Sequence, residues 1–392
     1  MRELIIGRRL EAALTKTRTF EIYLNVIEWG DGVQGIEGAE EAPVPVRPAD
    51  CPVAKRQRLV SDFDRLHLPV IVSSHSRGGQ PVSQEAERAK GKIPAEAVEL
   101  YTQFIHGEID RREFMDTLGR RFATAGLTAA ALADALMPNY ALGQQVPKDD
   151  ERIKATYETI PSPAGNGYIR GYFVRPFSQD TRAETPSKLP TVLVIHENRG
   201  LNPHTEDVAR RFALENFMAF APDALASVGG YPNDDYKGGQ LFAKIDRTKL
   251  FNDFVACAQW LKAHPLSNGR VSVTGFCFGG GISNSLAVAL GPDLAAAAPF
   301  YGGAPPAADV PKIKAAILVH HGQLDKPLVA AYPEYAAAMK QNGVTHDGHI
   351  YPNSVHGFFN DATPERYNKA SAEEAWRRTI DWFNKYSRPA GA

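Results

Sequence analysis

The 392-residue chain is poor in cysteine, balanced in charge and free of long apolar runs, and each of these excludes something. Its 3 cysteines, Cys51, Cys257 and Cys277, are an odd and sparse set that cannot build a disulfide framework. No apolar run approaches the ~18 residues of a membrane helix, so no stable membrane insertion is expected. Lys and Arg number 44 against 45 Asp and Glu, for a formal charge of -1, which gives no general attraction to nucleic acid. The local basic cluster Lys55-Arg-Gln-Arg58 reads as a solvated one. No G-x-S-x-G occurs anywhere. A chain of this length is expected to hold one large domain with appendages.

What is present is a related pattern, Val271-Ser-Val-Thr-Gly-Phe-Cys277-Phe-Gly-Gly-Gly281. Val271 to Thr274 reads as a β-branched strand, and Ile282 to Leu290 as the buried helix that follows. Between them lies a nucleophile elbow with Cys in the Ser slot. A sharp turn at position 277 leaves no room for side chains two residues before and two after, which explains the glycines. The bend exposes the sulfur above the sheet, and the new helix directs its N-terminal N–H groups at it, favouring the thiolate. A glycine-rich turn can also hold a merely structural Cys. Chain order argues for the nucleophile: Leu318-Val-His-His-Gly-Gln-Leu-Asp325 is a strand running into a loop acid, and Ile350-Tyr-Pro-Asn-Ser-Val-His356 a strand followed by a loop histidine. Nucleophile, acid, histidine is the order of the α/β-hydrolase fold. Cys257 falls on an apolar helical face with Leu250, Phe254 and Leu261 and is expected in the core.

The remaining chain divides into four parts. Residues 1–41 contain Phe20-Glu-Ile-Tyr-Leu-Asn-Val-Ile-Glu-Trp-Gly-Asp-Gly-Val-Gln-Gly-Ile-Glu37, which resembles a short segment of the peptidoglycan glycosyltransferases. That family's catalytic acid lies upstream of the segment, so these residues are expected to be a remnant without activity. Residues 42–92 are rich in Pro, Ser, Gly and charge and read as linker or disorder. Residues 93–149 form a helical leader. Its Asp110-Arg111-Arg112-Glu-Phe114 has either of two readings: a packed helix, or a twin-arginine export signal. A cytoplasmic protein is expected from the chain as written, and a periplasmic one if translation begins near residue 92. From about residue 150 to 388, strands alternate with helices, giving a mostly parallel, doubly wound sheet flanked by helices. Thr191-Val-Leu-Val-Ile-His196 reads as a strand buried on both faces. Asn202-Pro203 caps a helix, Leu225 to Lys237 is a candidate pocket rim, and Ser371-x-x-Glu374 reads as a capping box opening the last helix.

With Cys277, Asp325, His356 and the loop His196-Glu197-Asn198-Arg199-Gly200 in view, residues 93–388 resemble the dienelactone hydrolase family. The resemblance implies a hydrolase that opens an enol-lactone (a carboxymethylenebutenolidase) or a related ester, with a small-molecule substrate and no cofactor or metal. It implies Cys277 as nucleophile, His356 as base and then acid, and Asp325 as its orienting partner. The backbone N–H groups of Phe278 and Asn198 form the oxyanion hole in this fold. In the family a Glu matching Glu197 contacts the resting thiol and controls it. The family also carries an Arg a few residues after the catalytic His to pair with a substrate carboxylate. Here His356 is followed by Gly-Phe-Phe-Asn-Asp, so Arg199 and Arg247 are possible substitutes, and Tyr301 and Phe358 possible pocket residues. Three alternatives stay open: another ester or thioester hydrolase on this fold, a non-catalytic binding protein of the same fold, and a metal hydrolase using His320, His321, His346 and His349. Against the last, H-x-x-H at the start of a strand puts the two rings on opposite faces. Oligomeric state is not legible.

Overall fold

The computed structural model describes residues 93–122, 128–177 and 188–388. The remnant expected at 1–41 and the linker expected at 42–92 lie outside the described residues. The body is an 8-stranded sheet flanked by helices. Its strands are β1 (Ile153–Ser162), β2 (Gly167–Pro176), β3 (Leu189–Ile195), β4 (Met218–Pro222), β5 (Ser267–Phe276), β6 (Ala296–Phe300), β7 (Ala316–Gly322) and β8 (His346–Tyr351). They lie in the order β1-β2-β4-β3-β5-β6-β7-β8. β1 pairs antiparallel with β2, and β2 with β4, while every later pairing is parallel.

The period of two along the central strands divides the core. Leu193 and Ile195 of β3 face one hydrophobic cluster with Phe254, Cys257 and Val273, whereas Val192 and Val194 face another with Phe212, Phe300 and Phe383. β3 is therefore buried on both sides, which its continuous apolar run requires. Helices α5 (Pro203–Leu214) and α10 (Lys369–Ser387) cover one face. The other is covered by α7 (Arg247–Ala263), α8 (Phe278–Leu290) and α9 (Lys326–Gln341). From β3 the chain moves outward to β4, then returns across β3 to β5. This change of direction opens a crevice beyond the carboxyl ends of β3 and β5, where ligands bind in open α/β sheets. The sequence places Cys277 at one of those ends and His196-Glu197-Asn198 at the other.

The leader forms α1 (Ala95–His106), α2 (Arg111–Arg121), α3 (Ala129–Leu136) and the single turn α4 (Tyr140–Gly143). It has its own small core of Tyr101, Phe114, Leu118, Leu132 and Leu136. The paired arginines open α2, whose N-terminus is capped by the Asp110 carboxylate accepting from the Glu113 N–H at 2.8 Å. Phe114 and Leu118 are buried beneath them, in the leader's small core.

The last helix departs from the expected cap. α10 begins at Lys369, and Asn368 accepts from the Ser371 N–H at 3.2 Å. Ser371 is buried and its hydroxyl accepts from Ser354 at 2.9 Å, so it does not cap. Asn at the N-cap satisfies the same orphan donors, and the serine hydroxyl is left for tertiary contact.

Glycine sets how closely α8 meets the sheet. A Cβ on Gly302 would stand 2.1 Å from the carbonyl carbon of Gly280, a clash of backbone with backbone that no rotamer change relieves. Gly302→Ala should therefore cost at least about 1–3 kcal/mol of stability. Gly303→Ala, with nothing within 4 Å, should stay within about 0.5 kcal/mol of wild type in the same urea or thermal melt.

Candidate active site

The elbow follows β5 directly. Cys277 has φ 55° and ψ -110°, a conformation that non-glycine residues rarely adopt. Its N–H donates to the Phe300 carbonyl at 3.1 Å, and its own carbonyl accepts from the Gly281 N–H at 3.1 Å. A Cβ at Gly275 would meet the Gly279 carbonyl oxygen at 2.2 Å, and one at Gly279 would meet the Ile195 oxygen at 2.3 Å. The two glycines of the G-x-C-x-G pattern are thus where the turn leaves no room. Phe278 is the first residue of α8, so its N–H is one of the orphan donors of a helix N-terminus, next to the sulfur.

The acid and the histidine arrive on separate loops. Asp325 follows β7 and precedes α9, but its carboxylate does not cap that helix. It turns to His356, and Nδ1 of the ring lies 2.7 Å from Oδ2. The chain reverses at Gly357, φ 85°, immediately after the histidine. The ring packs against Tyr301 at 4.9 Å between centroids and also hydrogen-bonds the Cys277 sulfur. Burial opposes charge on the ring, but the Cys277 sulfur and the Asp325 carboxylate outweigh it and push the imidazole up to about 10. Three residues far apart in sequence therefore meet as a sulfur, a charged ring and a carboxylate.

The loop after β3 is fixed by its first residue. His196 is fully buried, Nδ1 hydrogen-bonds the Glu197 carbonyl, and Nε2 accepts from the Ala224 N–H at 3.0 Å. Desolvation lowers its pKa, so the ring is neutral and ties the β3 loop to the chain after β4. Glu197 is half-buried, and its charge acts on Tyr301, Tyr101, Tyr140 and Asp235. Asn198 donates through Nδ2 to the Ile105 carbonyl at 2.8 Å.

Three sequence expectations find other occupations. Arg199 is buried, and its guanidinium donates to the carbonyls of Ile105 at 3.2 Å and Asp235 at 3.1 Å. Phe358, expected at the pocket, is wholly buried among Phe300, Tyr301 and Tyr351, because the reversal at Gly357 sends it into the core. Arg247 lies over the rings of Phe242, at 4.0 Å, and Phe278, at 5.2 Å. Asp223, just after β4, accepts from the N–H groups of Leu201, Leu225 and Tyr231.

Tyr301 does belong to the site. It is buried beside Cys277 and Glu197 and its hydroxyl has no partner. Sequence reasoning missed Arg366. Its guanidinium is buried, Nε and Nη1 are unpartnered, and a Cβ on Gly357 would be 2.8 Å from Nη1. Its charge acts on Tyr301. The family's arginine stands within a few residues of the histidine, whereas this one stands ten residues on, after a loop that folds back.

A model of the dienelactone hydrolase family matches residues 177–387. The chain belongs to that family. A YqhI-like model matches residues 85–123, within the leader and the stretch before it. A protein of Escherichia coli K12, named provisionally as a carboxymethylenebutenolidase, is 31% identical over 253 residues, spanning 60% of this chain and 89% of its own. One from Methylorubrum extorquens, likewise named provisionally, is 30% identical over 285 residues, 69% of this chain and 94% of that one. The crystal structure of a provisional dienelactone hydrolase from Klebsiella pneumoniae is 28% identical, with a TM-score of 0.52 over 60% of this chain and 99% of that one. The family match begins after β2 and takes in β3 to β8 and the turn at Cys277.

The charge on His356 has a pH signature. Folding raises the ring from its ordinary value of 6.5 to about 10. Its stabilising contribution is present in full below about pH 6.5 and lost as the pH rises through about 10. The Tm difference between wild type and His356→Gln should shrink over that interval; a pH-independent difference would mean that the resting ring is neutral.

Proposed function

We propose that this protein hydrolyses a carboxylic ester or enol-lactone with Cys277 as nucleophile, His356 as proton carrier and Asp325 as the group that orients it. The observation that carries the reading is the strained φ of Cys277 beside an imidazole held 2.7 Å from a buried carboxylate. The thiolate attacks the substrate carbonyl carbon, and the electron pair of the C=O moves to oxygen. The N–H groups of Phe278 and Asn198 receive that oxyanion, each donor being worth about 3 kcal/mol of barrier. Collapse breaks the acyl–oxygen bond, and the His356 imidazolium protonates the departing enolate or alkoxide. The ring, now neutral, takes a proton from water as the water attacks the thioester. The acid departs and the thiolate–imidazolium pair returns.

The family substrate carries a carboxylate, and Arg366 is the group best suited to receive it. A buried guanidinium with unmet N–H donors is costly, and a carboxylate satisfies planar donors of this geometry. Glu197, whose charge acts on Tyr301 beside Cys277, opposes thiolate formation and so lowers the share of the thiolate–imidazolium pair until substrate arrives.

Cys277→Ala should abolish turnover of a dienelactone or of p-nitrophenyl acetate, and Asp325→Asn should lower kcat by roughly 10²–10⁴. Retained activity in Cys277→Ala would overturn the assignment. Glu197→Gln should alkylate faster with iodoacetamide at neutral pH while turning over more slowly, with buried Cys257 as internal control. Equal alkylation and equal turnover would make Glu197 an ordinary loop acid.

A further inference from the structure

The leader lies outside the family match at residues 177–387, yet α1 sits on the residues that the reaction needs. Its C-terminus shows how. Gly107 is left-handed, φ 77°, and its N–H bonds the Phe104 carbonyl, while the Glu108 N–H bonds that of Gln103. The turn thus satisfies two of the orphan carbonyls and leaves that of Ile105 pointing out of the helix. Ile105 receives Asn198 Nδ2 at 2.8 Å and Arg199 Nη2 at 3.2 Å. Those donors belong to the loop that carries one oxyanion N–H, and the guanidinium also complements the negative end of the helix dipole.

Two further contacts come from the same helix. The Arg366 guanidinium lies 5.4 Å from the centre of the Tyr101 ring, against its face. Phe104 stacks on Tyr236 at 6.2 Å, at the start of α6 (Asp235–Phe242), where Arg199 Nη1 bonds the Asp235 carbonyl. Charges of Arg199, Arg366, Asp235 and Glu197 all act on Tyr101. One helical face therefore meets the oxyanion loop, the buried arginine and the rim helix. A helix added only for stability would be expected to dock through an apolar stripe. Here much of the contact is polar and made by site residues.

We infer that α1 is a positioning element for catalysis. The Ile105 carbonyl sets the oxyanion loop through Asn198 and Arg199, and the Tyr101 ring sets Arg366 for an anionic substrate group. The inference rests on the ester-hydrolase reading above. Neither group touches the reacting atoms, so each acts through the residue it holds. Misplacing an oxyanion donor by a fraction of a bond length should cost rate rather than affinity, and tilting the guanidinium should cost affinity for carboxylates alone.

The test uses full-length protein. Asn198→Leu keeps the backbone N–H and removes the clasp on Ile105, and Arg199→Met removes the second donor. Each should lower kcat on the order of tenfold to a hundredfold for p-nitrophenyl acetate, with KM within about twofold and faster amide exchange at residues 197–199. Tyr101→Leu should raise KM on the order of tenfold for a carboxylate-bearing aryl ester and leave that for the acetate within about twofold. Tyr101→Phe, which keeps the aromatic face, should restore it. Unchanged kcat in both loop variants, despite faster exchange, would overturn the inference and leave the nucleophile assignment standing. Equal KM changes for both esters in Tyr101→Leu would also overturn it. Wild-type turnover by Cys277→Ala would instead remove the reading on which it rests, and the exchange rates would still report whether α1 holds the loop.

Discussion

The structure depends on how closely three stretches of backbone approach one another at the elbow. A Cβ at Gly275, Gly279, Gly280 or Gly302 would stand within 2.4 Å of a main-chain atom of a neighbouring segment. The end of β5, the start of α8, the end of β3 and the loop after β6 therefore meet as bare backbone. That approach lets Cys277 take a positive φ held by the Phe300 carbonyl, and it brings the loop after β3 beside the helix N-terminus. A side chain at any of these positions would have to push the junction open. The strain at Cys277 is of order 1–3 kcal/mol and is tolerable because the surrounding sheet fixes both ends of the turn.

Around this junction the loops are fixed by polar contacts. His196 bridges the β3 and β4 loops as a neutral ring. A second knot lies on the α5 side. Buried Asp207 accepts from the N–H groups of Gln145 and Val146 and from Arg210 and Arg211. Asp361 accepts from His204, Gln145 and Arg211, whose charge and hydrogen bonds outweigh burial and hold it at about 2. Burying so many charges is tolerable because nearly every lone pair has a donor, and removing one partner from such a network typically costs about 3–5 kcal/mol. The knot joins the end of the leader to α5 and to the segment that leads into Arg366. The leader is thus tied at α1 to the site and at residues 143–146 to the body.

Local sequence was enough where the physics is local. The β-branched run before Gly275, the glycines around Cys277, Asn202-Pro203 ahead of α5 and the apolar run of β3 all act within a few residues of chain. The placing of Cys277, Asp325 and His356 after β5, β7 and β8 likewise follows from strand succession in a parallel sheet. The last helix shows the limit even there. Ser371-x-x-Glu374 has the spacing of a capping box, but Asn368 sits three residues earlier and Ser371 has a buried tertiary partner.

Position in space was settled only by tertiary structure. Arg199 and Phe358 stood next to motif residues, yet one is clasped to a helix end and the other is turned into the core by the reversal at Gly357. Arg366 and Tyr101 stand far from any motif and come together because a loop and a helix converge on one crevice. Asp325 meets the His356 ring, whereas Asp223 is occupied by backbone donors. The sequence by itself determined the fold and the tight turn around Cys277, since each is written in periodicity, turn chemistry or strand succession. Which side chains line the site, and what holds them, was decided by long-range packing and by the demand that every buried donor find an acceptor, which no local pattern encodes.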